Sequence, residues 1–132
     1  MTRQQLEEHR QLQAKLNAAR SVYHQLEQKA LPGAQRLDGM PRSSGNADKV
    51  GELGVELARQ WLDMEKLERA VTVSRIPIER YIETLDDPLT RLVIGLRILC
   101  ALSWKEVAIY SGADQSVEAV RRRFKKEVVK LP

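Results

Sequence analysis

Near the C-terminal end, the sequence places five cations, Arg121, Arg122, Arg123, Lys125 and Lys126, within six residues. Val117, Val120, Phe124, Val128 and Leu131 interleave with them at steps of three and four, the spacing of one helix face. At about 100° per residue, the direction opposite the Val120/Phe124/Val128 stripe is that of Arg122 and Lys126. Gln115, Glu118, Ala119, Arg123 and Lys125 flank that direction, and Arg121 falls at the edge of the apolar stripe. Cations on one helix face are chemistry for a polyanion. They release condensed counterions from phosphates, and an arginine fork also matches a guanine edge. The helix start, Gln115, Ser116, Glu118 and Ala119, would then meet base edges, with Arg122 in reach and Lys125 and Lys126 better placed for phosphates. The competing reading of any charge run is a solvated helix face, so the preceding residues matter.

Those residues favour the polyanion reading. Ser103-Trp104-Lys105-Glu106 is a capping box, in which Ser103 caps a helix start and Glu106 reaches back to it. It opens a short helix containing Val107, Ala108 and Tyr110, which Gly112 ends at a position where φ must turn positive. Asp114 and Ser116 are both candidate caps for the basic helix that follows. A short capped helix, a glycine turn and a longer basic helix form the order of a helix-turn-helix unit. The net charge of +4 agrees: residues 1–102 are nearly balanced, and the excess lies in the last third.

Leu96-Arg97-Ile98-Leu99, followed by Ala101-Leu102-Ser103-Trp104-Lys105-Glu106-Val107-Ala108, resembles the start of the promoter-reading fourth region of sigma factors. That family carries Leu-Arg-Tyr, then Gly-Leu-Ser, an aromatic, acidic residues and Ile-Ala at this spacing. Gly112 falls at the family's turn glycine, and Val120-Arg121-Arg122-Arg123-Phe124 resembles its Val-Arg-x-x-Leu recognition-helix core. The likeness spans residues 85–131. It is closer still to the sigma-region-four-like regulators of phages of Gram-positive bacteria, of the RinA and ArpU late-gene type, some of which carry a linker similar to Gly39-Met40-Pro41-Arg42. The resemblance implies transcriptional control in a bacterial host cytoplasm, with double-stranded DNA and RNA polymerase as partners. Two departures stand out. The turn from Ala113 to Ala119 is about two residues longer than in sigma factors, and Glu127 stands where the family has a small apolar residue. Nothing resembles the sigma regions that bind the core promoter element or melt DNA.

The rest of the chain must position this unit. Residues 2–30 read as one helix with Leu12, Leu16, Ala19, Tyr23, Leu26 and Ala30 on one narrow stripe that needs a partner. Residues 31–47 are rich in Gly, Pro, Ser and Asn and read as a linker, with Met40 to Asn46 expected to be mobile and Arg42 within reach of a phosphate if the linker folds back. A second long helix is expected from Asn46 or Asp48, with Val50, Leu53, Leu57, Trp61, Met64, Leu67 and Val71 inward. Gly51 and Gly54 either weaken its first turns or mark the close approach of another helix. The two long helices suit an antiparallel hairpin or a coiled-coil pair between chains, and the sequence leaves both open. Pro77 should break or kink the second helix after Arg75, leaving a short helix over residues 78–86. Asp86-Asp87-Pro88 should start another over 88–100, with Leu89, Leu92, Val93, Leu96 and Leu99 inward.

Other chemistries find little support. Cys100 is the sole cysteine and reads as a small core residue beside Leu99, in a chain with no secretory signal and a cytosolic character. His9 and His24 lie apart on a polar helix without metal-ligand spacing, and no nucleophile with base and orienting group is discernible, so neither a metal, a cofactor nor an enzyme is expected. No stretch approaches the ~18 apolar residues of a membrane span. With 5% aromatic residues and few Pro and Gly, the chain suits Leu-, Val- and Ile-filled helix pairs.

The expectation is therefore an all-α protein. Residues 1–75 form a helical oligomerisation or docking segment that contains the linker 31–47, and residues 76–132 form a helix-turn-helix DNA-binding domain. The expected function is sequence-specific transcriptional regulation. Two alternatives stay open: a phage DNA-packaging component of the small-terminase kind, which would assemble as a ring, and an adaptor that binds RNA polymerase without reading DNA.

Overall fold

The computed structural model describes residues 1–30, 44–112 and 114–132, those of 44–50 as backbone only. The fold is all-α: α1 (Arg3–Ala30), α2 (Ser44–Glu83), α3 (Pro88–Ile94), α4 (Trp104–Ser111) and α5 (Val117–Val128), with a π-helical turn, Gly95–Leu99, continuing α3. α1 and α2 pack on each other within the chain and run antiparallel. Arg20 meets Glu68 and Tyr23 meets Trp61, so rising numbers on one helix match falling numbers on the other. Of the two arrangements left open by the sequence, the antiparallel hairpin is the one seen within the chain.

The contacts divide the chain into two compact units, residues 1–15 with 69–132, and residues 16–68. In the second, Leu16 and Met64 are buried and the Tyr23 and Trp61 rings pack at 5.7 Å. Trp61 is 48% exposed and donates its indole N–H to Glu65 at 2.9 Å, so it lies at the rim of the helix pair rather than in its core. Among the described residues nothing lies within 4 Å of a Cβ placed at Gly51 or Gly54, so no close helix approach is seen at them there.

The first unit holds two joined cores. Leu6, Ile78, Leu85, Ile94 and Ile98 form one; Val93, Val107, Ala108 and Val120 form the other, and Phe124 packs against both. Burying each large aliphatic side chain contributes roughly 1.5–3 kcal/mol. This unit reaches beyond residues 76–132, because Leu6 of α1 is 2% exposed and the Arg3 N–H donates to the Pro132 carbonyl at 3.0 Å. His9, on a helix that reads as polar, shares that burial at 0% exposure. His9 Nδ1 lies 2.6 Å from the Ser74 hydroxyl, which is also 3.2 Å from the Val71 carbonyl. Burial, and then the Arg75 guanidinium, hold the His9 pKa below its ordinary value, and the ring is neutral at pH 7.

Several boundaries differ from expectation for identifiable reasons. α2 starts at Ser44, so the last residues assigned to the linker are helical; the remainder of the linker, with Gly39-Met40-Pro41-Arg42, lies outside the described residues. Pro77 sits inside α2 and does not end it. A helix-interior proline costs about 3 kcal/mol. Here Val73, Ile76 and Pro77 are all on the exposed side, where the carbonyl left unpaired by Pro77 meets water, while Ile78 is buried at 1% exposure one residue later. Residues 78–83 accordingly continue α2, and the Thr84 and Leu85 N–H groups close its end on Tyr81 and Ile82. The helix expected over 88–100 is α3 followed by the π turn. Ile94 and Ile98 are buried, and Leu92, read as inward, is 43% exposed. Cys100, at the end of the turn, is exposed rather than in the core.

Candidate nucleic-acid interface

Three local devices position α5. Asp87 caps α3, accepting from the Leu89 N–H at 3.4 Å and the Thr90 hydroxyl at 2.7 Å, with Pro88 in the first turn. Ser103 and Glu106 complete a reciprocal capping box at α4: the Glu106 N–H donates to Ser103 Oγ and the Ser103 N–H to Glu106 Oε1, both at 3.2 Å. Ser116 caps α5 by accepting from the Ala119 N–H at 3.1 Å, which decides between it and Asp114.

Backbone conformation sets the two junctions. Gly112 ends α4 at φ 125° and ψ 159°, a region open essentially only to glycine. Ala101 stands at φ 54° between the π turn and α4, where an L-residue loses roughly 1–2 kcal/mol. The two positions should respond with opposite signs. Gly112→Ala should lower stability by about 1–3 kcal/mol although its Cβ would meet nothing within 4 Å. Ala101→Gly should raise it by up to about 1 kcal/mol, the relieved strain less the extra chain entropy of glycine. Urea denaturation of both variants checks the pair, and equal signs would mean that these turns are not set by φ.

On this frame α5 turns Val120 fully inward, at 0% exposure, between α3 and α4. Phe124 meets Trp104 edge to face, with centroids 5.1 Å apart and planes at 74°. Val117 is at the rim, 37% exposed. Arg121, Arg122, Lys125 and Lys126 are all exposed and with Glu118 and Val129 line a shallow open concavity along the helix. One acid against four cations leaves this surface strongly positive. Ser116 and Glu118 are exposed at the helix start, while Gln115 and Ala119 are half-buried, and the Gln115 N–H is held by the Gly112 carbonyl at 3.1 Å.

Arg123 departs from the outward cluster. Its Nη1 pairs with Asp87 and lies 3.3 Å from the Thr90 hydroxyl, tying α5 to the cap of α3. The Thr90 hydroxyl first, then the Leu89 N–H and the Arg123 guanidinium, hold the Asp87 carboxyl below its ordinary pKa. These contacts tie Arg123 to α3 while its side chain stays 37% exposed. The helical wheel places Arg123 beside the outward direction but says nothing of Asp87, 36 residues earlier.

Trp104 is the feature that periodicity missed. Arg97 lies 4.5 Å and Arg121 5.9 Å from its ring centroid, both within cation–π reach. The available signal was Arg97 itself, the sole charged residue in the apolar run from Leu92 to Leu99.

Among the described residues no cluster of three or more His, Cys, Asp or Glu has metal-binding geometry, and no helix is long and apolar enough to cross a membrane. Comparison with protein-family models, with curated proteins and with solved structures finds no match.

Proposed function

We propose that this protein is a sequence-specific DNA-binding regulator of transcription that inserts α5 into the major groove as its recognition helix. The observation that carries the reading is the exposed surface of α5, where Arg122 and Lys126 face away from the buried Val120 and Arg121 and Lys125 flank them in one concavity. Lys125 and Lys126 supply phosphate contacts, and Ser116, Glu118 and Arg122 lie at the end that meets base edges. Gln115 and Ala119, half-buried, shape that end. The resemblance of residues 85–131 to sigma region four supports promoter DNA as the target, RNA polymerase as a second partner and a bacterial host cytoplasm as the setting.

Selection of duplexes from a random pool by the full chain tests the reading. The expected result is a selected sequence that binds at least about tenfold better than its scrambled version near physiological salt, a gap typical of even one base-edge contact. No such sequence would leave an adaptor that holds the polymerase without reading DNA.

A further inference from the structure

The first turns of α1 enter the core of their unit with a side chain that can change its charge. His9 is fully buried, at 0% exposure. Among the described residues its ring has one hydrogen-bond contact, the Ser74 hydroxyl of α2 at 2.6 Å from Nδ1, while Nε2 is buried and has no partner. No carboxylate of the described residues bonds either ring nitrogen. The charges of α2 that act on the ring are Arg75 and Glu79, and these are paired with each other at 2.5 Å. Its neighbours on α1 are occupied along their own helix: Gln4 donates to Glu8 at 2.8 Å, and Arg10 Nε donates to Glu7 at 3.0 Å. A neutral imidazole leaves one nitrogen without a partner in this site. A second proton makes both nitrogens donors and adds a buried charge that no carboxylate answers.

We infer that His9 is a pH-sensitive latch, which holds the first turns of α1 in the core of their unit while its ring is neutral and releases them when the ring is protonated. Release parts Leu6 from the core it shares with Ile78, Leu85, Ile94 and Ile98, the Arg3 N–H from the Pro132 carbonyl, and His9 from Ser74. The backbone hydrogen bonds of α1 are internal to the helix, so none of them opposes its departure. The core left open is the one against which Phe124 and Val128 of α5 pack. The latch thus couples acidity to the support of α5, which the charge of that helix does not require. Above about pH 6.5 the docked and the unfolded chain both hold a neutral His9. Below it the unfolded chain takes up a proton that the docked ring refuses, because burial holds its pKa down. Docking is therefore at full strength above that pH and is lost as the pH falls.

The experiment is urea denaturation of the full-length wild type, His9→Gln and His24→Gln at about pH 7.5 and 5.5, with hydrogen exchange of the wild type at both. His24, the other histidine of the chain, is exposed and serves as the control. Between the two pH values the unfolding constants of wild type and His24→Gln should rise about tenfold more than that of His9→Gln. That is the factor for one proton bound near pH 6.5 by the unfolded chain alone. Amides of residues 6–13 should be less protected than those of α3 and α5 at both pH values, because released turns without packing fray. Their protection should fall about tenfold at the lower pH. An equal pH dependence in His9→Gln overturns the inference. Equal protection across α1, α3 and α5 also overturns it, because it marks unfolding of the whole unit rather than release of α1. Where His9→Gln does not fold, the ring signals of the wild type in nuclear magnetic resonance decide. A His9 ring still neutral where His24 is half protonated supports the latch, and one that titrates together with His24 overturns it.

Discussion

Lys125→Gln/Lys126→Gln should lose about twelvefold less affinity than wild type when salt rises from about 50 to 200 mM, because two phosphate contacts carry a slope of about 1.8 between them. Both ammonium groups are exposed on the α5 concavity, so each is available to displace a condensed counterion. The loss at any one salt concentration should be the same on selected and scrambled duplexes, since a phosphate contact contains no sequence information. Arg122→Ala should behave differently. If its guanidinium spans a guanine edge, removal narrows the gap between selected and scrambled DNA by about 1–3 kcal/mol, or roughly 5- to 150-fold. Arg123→Gln should leave the slope near that of wild type, because Arg123 is engaged by Asp87 and Thr90. Salt titrations of the variants on both duplexes check all of this. A slope that falls equally for any cation removed, Arg123 included, would indicate diffuse attraction and remove the case for a docked recognition helix.

Phe124→Ala should lower the folding free energy by about 3 kcal/mol, the lower end of the range for truncating a core phenylalanine. The lower end applies because Phe124 is half-buried rather than sealed. It packs against both cores of its unit and against the edge of Trp104, so its removal leaves a gap where α5 meets two layers at once. The aromatic pair adds roughly 0.5–1.5 kcal/mol beyond area. Arg122→Ala, two residues away on the exposed face, should stay within about 0.5 kcal/mol of wild type. Urea denaturation of the two variants measures the contrast. Equal destabilisation would place Arg122 in the core and invalidate the division of α5 into an inner and an outer face.

That division of α5 was legible before any coordinates, and the reason is physical. A helix has a fixed angular period, so Val120, Phe124 and Val128 determine where Arg122 and Lys126 point whatever the helix packs against. Caps are equally local. Ser103 with Glu106, Asp87 before Pro88, and Gly112 at positive φ each act within four residues, and each is present as the sequence implied. The all-helical class follows from the same short-range signals.

What needed the tertiary structure was everything set by partners distant in sequence. Pro77 reads as a helix end because its local cost is plain, whereas the compensating burial of Ile78 against Leu6 depends on a residue 72 positions earlier. Leu6 and His9 fell outside the stripe read from Leu12 onward, and only the packing of α1 on the end of α2 makes them core. The π turn that contains the buried Ile98 has no cue in periodicity, since it is an interruption of periodicity. Arg123 is separated from the other cations by Asp87, and Arg97 is drawn to Arg121 by Trp104; both choices belong to side chains that meet across elements. Local interactions thus determined which helices form and which face of α5 is charged. Long-range contacts decided which of those charges stay free to meet a partner and which are spent on holding the helix in place.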